Sequence, residues 1–335
     1  MPTLDRADLL RRAHGALLGV AIGDAMGAPV EGRTAAEIRA AHGRITGFLT
    51  EASAGTDDTD FTLFNAHLLI THGPAITLAQ VEAEWRDKLL APGRAYRPGG
   101  FSDVCSTRNL AAGLAAPHSG AFNHQMWSDG VAMAISPAGL LAAGDPELAA
   151  RLAATLGAVS NGRDGIYAAQ AVAAAIAVAM TGVSPADMLA AALAVVPPDT
   201  WTARALQRAA ETAAALPDDL DAALALLSDR LVVPWWPWAD LVTEAVPLAF
   251  GAFLAARGEF RRAVPAGISL GRDADTIGAI VGSLAGAYGG REAVPDDWAR
   301  RAAVSAGKCI GFVAGQELET VAARLVERTL AREAA

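Results

Sequence analysis

Lysine, cysteine and positive charge are scarce in this chain, and each shortage excludes a class of protein. Its 335 residues include only two lysines and carry a formal net charge of −9. Binding of a nucleic acid duplex requires a basic face, so we predict no such partner. The two cysteines, Cys105 and Cys309, are too few for a disulfide framework or for a zinc site of their own. We therefore expect a reducing compartment and predict a cytoplasmic location.

Secretion and membrane-crossing signals are also missing. The first six residues contain no basic stretch followed by an apolar run, so no signal peptide is expected. The uncharged stretch 165–186 is long enough to cross a bilayer, but it is rich in alanine and ends in Gly182-Val183-Ser184-Pro185. Alanine favours helices, and neither an aromatic belt nor a basic flank follows. We therefore predict a buried helix and no membrane partner.

Helical patterns dominate what is present, and strand patterns are nearly absent. Apolar residues make up 53% of the chain and charged residues 19%, which excludes a disordered protein. Apolar periodicity predicts helices at 4–19, 62–71, from Thr77 onward, 146–158, 165–181, 184–195, 201–214, 218–228, 240–257, 277–287, 296–313 and 316–333. The one candidate strand is Ile45–Thr50.

Two helix starts carry capping signals. Thr77 is followed three residues later by Gln80, and Ser184 is followed by Pro185 at the first helical position. No fixed-period repeat and no linker-like stretch interrupts the helices. The sequence therefore predicts an all-α protein, a single compact multi-helix domain over residues 1–335.

Two short segments concentrate carboxylates immediately before an apolar helix. They are Gly55-Thr56-Asp57-Asp58-Thr59-Asp60 and Gly271-Arg272-Asp273-Ala274-Asp275-Thr276. Adjacent carboxylates repel one another, which raises a pKa or requires a cation. Their hard oxygen atoms suit Mg²⁺, Ca²⁺ or Mn²⁺, and one such loop from each end of the chain makes a two-metal site geometrically possible. Helix capping is the alternative for either segment alone.

A third segment, from Gly15 to Gly32, combines regularly spaced glycines with two carboxylates. The glycine spacing fits close helix packing and a turn. Asp24 and Glu31 lie within an otherwise apolar run. They are candidates for the same site, although Asp24 as a turn cap and Glu31 as an exposed residue are equally compatible with this segment alone.

Four motifs occur in the order in which one known family carries them. They are Gly23-Asp24-Ala25-Met26-Gly27 with Glu31, Thr56-Asp57-Asp58-Thr59, Ser128-Asp129-Gly130-Val131-Ala132-Met133, and Asp273-Ala274-Asp275-Thr276-Ile277-Gly278. In their order and spacing, over nearly the whole chain, the sequence resembles the ADP-ribosylglycohydrolase family. The resemblance implies an all-helical fold and a binuclear Mg²⁺ centre, with Mn²⁺ as an alternative. The implied metal ligands are Thr56, Asp57, Asp58, Asp273, Asp275 and Thr276.

The same resemblance implies a hydrolase that cleaves an N- or O-linked ribosyl bond. The expected substrate is ADP-ribose attached to a protein side chain or to a small molecule. The implied catalytic residues are Glu31, Asp58 and Asp273, and which aspartate is the general base stays open. The implied substrate-binding residues are Asp24, Trp127, Ser128, Asp129, Gly130, Asn161 and Arg272.

Three positions depart from the family pattern. Asn161 stands where many members have a histidine, Ala134 where many have an arginine, and Arg272 where a glycine is usual. These departures favour one alternative to ADP-ribose hydrolysis, turnover of another ribosyl or nucleoside-like metabolite. A metal-binding or structural relative without turnover is a further alternative, and the presence of all six ligand positions argues against it. Two further stretches stay open: Trp235–Trp238 as a stacking surface or a buried or oligomer contact, and Arg94–Asp103 as a lid or an ordinary loop.

Overall fold

Helices make up most of the computed structural model, which describes residues 5–216 and 218–333. Over these residues the backbone forms 17 α-helices and no sheet. Those of the first half are α1 (Arg6–Gly27), α2 (Ala35–His42), α3 (Asp57–His72), α4 (Leu78–Trp85), α5 (Phe101–Ala111), α6 (His118–Ala121), α7 (Ser136–Leu141), α8 (Pro146–Gly157) and α9 (Asp164–Ala179). Those of the second half are α10 (Pro185–Ala194), α11 (Trp201–Ala215), α12 (Leu220–Leu231), α13 (Val242–Ala255), α14 (Phe260–Ser269), α15 (Ala274–Gly289), α16 (Asp296–Ala302) and α17 (Leu318–Glu333).

Two antiparallel helices, α1 and α15, form the centre of the fold through glycines four residues apart. A Cβ atom on Gly19 would lie 1.9 Å from the carbonyl oxygen of Gly282, and one on Gly23 would lie 2.0 Å from that of Gly278. Only glycine permits backbones to approach this closely. The pairing therefore places the C-terminal end of α1 beside the N-terminal end of α15, which carries the second acidic motif.

The alanine-rich helix α9 confirms the interpretation of the uncharged stretch. It packs against α8 and α10, and most of its residues are buried within the protein. In the described part of the chain, no helix is both long and apolar enough to cross a membrane.

Both predicted capping signals are confirmed. The Thr77 and Gln80 side chains exchange hydrogen bonds with each other's backbone N–H groups at the start of α4. Ser184 and Asp187 do the same at the start of α10, where Pro185 is the first helical residue. The predicted start of the first helix at Leu4 lies outside the described residues.

Two predicted elements are wrong. Residues 45–50 form no strand; from this irregular segment Ile45 is buried in the core, and Phe48 and Leu49 pack against it. The helix predicted over 296–313 ends at Ala302. Beyond it the backbone N–H groups of Cys309 and Ile310 donate to the Asp60 carboxylate, at 2.7 and 3.0 Å, rather than to a helical carbonyl.

Five helices were not predicted: α2, α5, α6, α7 and α14. In α14 the periodic signal is interrupted by Pro265 and Gly267, both poor helix formers. The helix α5 begins inside the stretch interpreted as a loop, and its start depends on Asp103, which accepts hydrogen bonds from the Gly99 and Gly100 N–H groups.

Candidate metal centre and substrate pocket

A pocket of about 370 Å³ opens where the N-terminal ends of α3 and α15 meet. Its wall is completed by residues of the segments 31–32, 99–103, 128–134 and 237–240, and by side chains of α3, α4 and α8. All of the predicted metal ligands line it, namely Thr56, Asp57, Asp58, Asp273, Asp275 and Thr276. The central glycine pairing thus joins two motifs that are more than 200 residues apart in sequence.

Asp24 lies behind this pocket and fastens the start of α3. Its carboxylate accepts hydrogen bonds from the Thr56 N–H at 2.7 Å, the Thr56 hydroxyl at 2.8 Å and the Thr59 N–H at 3.0 Å. It is fully buried and is not part of the pocket wall. Such contacts fit a residue that positions the acidic loop, and its predicted contact with substrate stays a prediction.

Two groups of three carboxylates lie close enough to share a cation. Asp24, Asp58 and Asp275 each offer an oxygen within 4.8 Å of the others, as do Glu31, Asp273 and Asp275. Asp275 belongs to both groups. The Oδ1 atoms of Asp58 and Asp275 are buried and accept no hydrogen bond. Unsatisfied buried oxygens of this kind are what a bound hard cation would saturate, so the residues present fit the Mg²⁺ or Mn²⁺ that the sequence predicts.

The electrostatics of these groups agree with that fit. Burial raises the pKa of Asp58 well above its ordinary value, and the neighbouring carboxylates, Asp24 and Asp275 first, raise it further. Burial likewise raises the pKa of Asp273 and of Asp275. It raises the pKa of Asp24 to about 6, although the hydrogen bonds from Thr59 and Thr56 act in the opposite direction. A cation in contact with these groups would favour their charged forms.

Glu31 is the most accessible carboxylate of the two groups. It lines the pocket and is exposed, whereas Asp58 is 1% and Asp273 is 8% exposed. Although the residue as a whole is exposed, its carboxyl group lies partly inside the pocket, and this partial burial, followed by the charge of Asp57, raises the pKa of Glu31. A carboxyl group with a raised pKa at a pocket rim is suited to proton transfer.

The mid-chain loop reaches the pocket with three of its four predicted residues. Ser128, Asp129 and Gly130 line the wall, whereas Trp127 packs edge-on against Trp236, with ring centres 4.8 Å apart. Asn161 is buried behind this loop, and its amide donates to the Ser128 carbonyl at 3.0 Å. Asn161 therefore holds the loop in place, and its own side chain is not part of the pocket wall.

Arg272 is already engaged by protein groups. Its Nε donates to the Glu244 carboxylate at 2.6 Å, and a terminal nitrogen donates to the carbonyls of Trp236 and Trp238 at 3.1 and 2.9 Å. Its side chain is not part of the pocket wall. The phosphate or carboxylate contact predicted for Arg272 stays a prediction. In the structure Arg272 instead holds the loop Trp235–Trp238, the tryptophan loop, through two of its carbonyl groups.

Comparison with known proteins agrees with this geometry. The sequence profile described as ADP-ribosylglycohydrolase matches residues 5–335. The chain belongs to the ADP-ribosylglycohydrolase family. An uncharacterized protein of Archaeoglobus fulgidus is 30% identical over 292 residues, which are 84% of this chain and 88% of that protein. A solved structure described as an "ADP-ribosylglycohydrolase-related protein complex" superposes with a TM-score of 0.65 at 24% identity, over 96% of this chain and 99% of that one, and shares its fold.

Several pocket residues lie outside the family motifs, among them Phe101, Asp103, Trp238 and Asp240. Of these, Trp238 belongs to the stretch kept open as a stacking surface, and Phe101 and Asp103 to the stretch kept open as a lid. For Asp103 a signal existed, because Gly99-Gly100 precedes it at capping distance. Its carboxylate also accepts a hydrogen bond from the Tyr96 hydroxyl at 2.9 Å, and burial raises its pKa to about 6. Asp240 follows the tryptophan cluster with no motif around it, so only the fold shows that it faces the pocket.

Proposed function

We propose that this family member is a hydrolase that cleaves a ribosyl glycosidic bond with the help of two Mg²⁺ ions, for which Mn²⁺ could substitute. The residues that would hold the ions are Thr56, Asp57, Asp58, Asp273, Asp275 and Thr276. The observation that carries the proposal is the pair of carboxylate groups that share Asp275 and leave buried oxygens without partners. Such an arrangement destabilises a metal-free protein, which counts against a purely structural relative.

The chemistry follows from the positions of the side chains. Cleavage at a ribose carbon passes through an oxocarbenium-like state. When bound, Mg²⁺ supplies Lewis acidity to ribose hydroxyls and to a water. We assign proton transfer to Glu31, because it is the carboxyl group of the two clusters that solvent and substrate can reach. Asp58 and Asp273, the other predicted catalytic residues, are deeper and serve as ligands in this proposal.

Two substrate classes follow from the family and the pocket. The first is ADP-ribose on an arginine or serine side chain or on a small molecule. The second is a different ribosyl or nucleoside-like metabolite. One observation favours the second: no arginine, lysine or histidine is found in the pocket wall among the described residues. A diphosphate would enter a pocket with no positive side chain to receive it.

The direct experiment measures hydrolysis of ADP-ribosyl-arginine, ADP-ribosyl-serine and free nucleosides before and after metal removal with a chelator. We expect activity on at least one ribosyl glycoside to be lost with the metal and restored by Mg²⁺. A melting curve that shifts upward with Mg²⁺ provides an independent readout of metal binding. Full activity in chelator, or no hydrolysis of any ribosyl glycoside by Mg²⁺-loaded protein, would overturn the proposal.

A further inference from the structure

Two carboxylates in the pocket wall, those of Asp129 and Asp240, lie outside the predicted metal-ligand set and keep buried oxygens without a hydrogen bond, although Asp129 lies against Asp273 and Asp240 is attracted by Arg272. Asp129 is 3% exposed, and its Oδ2 accepts no hydrogen bond. Both carboxylate oxygens of Asp240 are buried and also lack a hydrogen bond of normal geometry, although the Trp236 indole lies beside them and lowers the pKa that burial raises. The two residues are held together by the backbone, where the Asp129 N–H donates to the Asp240 carbonyl at 3.2 Å. Burial raises the pKa of both carboxyl groups, so each is held in its charged form only when a positive group lies beside it.

The charge of the whole pocket points in the same direction. Eight of the residues that line the pocket are acidic. Among the described residues, no basic side chain lines it. Two divalent cations would neutralise at most half of these carboxylates. The Arg272 guanidinium attracts Asp240, but its hydrogen bonds go to Glu244 and to two backbone carbonyls. A ligand that brings a diphosphate would add negative charge here, whereas a cationic ligand would remove the imbalance.

Aromatic rings at the mouth of the pocket add a shape requirement. Phe101 and Trp238 both line the pocket, and they are 50% and 45% exposed. Their ring centres are 6.0 Å apart. Exposed aromatic faces beside carboxylates favour a ligand that is both planar and positively charged, since such a group stacks on the rings and is attracted by their electrons.

We infer that this pocket selects phosphate-free ribosides whose base is planar and positively charged, with Asp129 and Asp240 facing the charge and Phe101 and Trp238 contacting the ring. This inference rests on the proposed ribosyl hydrolysis and names its substrate class. In the reaction, the bond between the ribose carbon and the ring nitrogen breaks, and the nitrogen keeps the electron pair, so the base leaves uncharged. A water oxygen bonds to the ribose carbon and its proton is released.

The test compares two ligands that differ in charge and hardly in size. Nicotinamide riboside carries a cationic pyridinium ring, and its reduced dihydro form is neutral. Binding is measured calorimetrically with saturating Mg²⁺ in a Glu31→Gln background, so that turnover does not interfere. We expect the cationic form to bind about tenfold more tightly than the neutral form, and ADP-ribose to bind more weakly than either. With the unmodified chain, release of nicotinamide from the cationic form is the matching activity readout.

Two variants and one control locate the effect. Asp129→Asn and Asp240→Asn should each reduce the preference for the cationic form to about threefold or less, while the melting temperature does not fall and the Mg²⁺-induced shift is retained. Asp229→Asn removes the same charge from an exposed position on α12 and should leave the preference intact.

The possible failures are distinguishable. Equal binding of the two nicotinamide forms, or tightest binding of ADP-ribose, overturns the inference and leaves ribosyl hydrolysis standing. Loss of Mg²⁺ binding in Asp129→Asn also overturns it, because the residue is then a metal ligand. If no ribosyl compound is hydrolysed, the proposed function fails, and a retained binding preference for the cation still supports the selectivity of the pocket.

Discussion

Asp58 and Asp60 are two residues apart on α3, both are buried, and they have opposite surroundings. Asp60 accepts hydrogen bonds from the N–H groups of Cys309 and Ile310, and Asp58 keeps an oxygen without a partner and is surrounded by other carboxylates. Burial alone therefore does not distinguish a structural carboxylate from a functional one. The distinction lies in whether the protein itself saturates the oxygens.

The same contrast separates Asp24 from Asp275. Both belong to one cluster, but Asp24 is saturated by Thr56 and Thr59, whereas Asp275 has a free oxygen and belongs to both carboxylate groups. We infer that carboxylates whose oxygens accept hydrogen bonds from the protein hold the loops in position, whereas those with a buried oxygen that accepts none are available to bind a ligand. The following predictions test this difference.

The largest effect is expected at Asp275. Asp275→Asn should lower the rate of ribosyl hydrolysis by about a thousandfold or more, equivalent to about 4 kcal/mol, because the carboxylate common to both groups is lost. The metal-free variant should melt no lower than the metal-free wild type, since a buried negative charge is removed, and the Mg²⁺-induced rise in melting temperature should disappear. A variant that keeps its Mg²⁺-induced shift would contradict the assignment of Asp275 as a ligand.

The opposite outcome is expected at Asp60. Asp60→Ala should reduce the free energy of unfolding by about 3 kcal/mol, because it leaves the buried N–H group of Ile310 and its neighbour at Cys309 without an acceptor. Urea denaturation measures this loss. The variant should still respond to Mg²⁺. A stability equal to that of the wild type would show that Asp60 does not secure the 303–310 segment.

Much of the pocket wall could be predicted from the sequence, because the proposed ligands come from contiguous motifs. Thr56–Asp58 and Asp273–Thr276 each stand at a helix start, and the glycines of α1 and α15 that bring them together repeat every four residues. The caps at Thr77 and Ser184 are equally local. What was missed depends on contacts between distant segments. Asp60 redirects the backbone of residues 309–310, and only folding brings Asp240 beside Asp129.

Arg272 illustrates how far the role of a single residue can be predicted from the sequence. Its planar cation beside a metal loop predicts an anionic ligand from the sequence, but the fold supplies Glu244 as that anion. No sequence motif near Glu244 predicts this pairing, because the two residues are 28 positions apart in the chain.

A moderate effect is expected from pH. For a carboxyl group whose pKa is raised in the folded state, the folded protein binds more protons than the unfolded one, so stability falls as pH rises. For Asp24 the loss begins near its ordinary pKa of 3.8 and extends through the folded value of about 6. The metal-free protein should therefore lose roughly 2 kcal/mol between pH 5 and pH 8 relative to the Mg²⁺-loaded form.

Melting curves of both forms across this range measure the difference. His14 and His67, whose pKa values burial lowers, oppose the trend equally in both forms and cancel from the comparison. A Mg²⁺-induced shift that is the same at pH 5 and pH 8 would show that Asp24 and the carboxylates around it do not exchange protons as predicted.

The smallest effect is expected at the saturated Glu244–Arg272 pair. Arg272→Lys keeps the charge but loses the planar group that reaches Glu244 and the carbonyls of the tryptophan loop together. We expect a loss of about 1 kcal/mol in unfolding free energy, measured in urea, with faster amide exchange at residues 236–240. The matched control is Arg257→Lys, because Arg257 also has a positive φ and an ion pair, to Asp218, but is exposed. Its loss should stay below about 0.5 kcal/mol, and equal losses in the two variants would contradict the role of Arg272 in fixing this wall of the pocket.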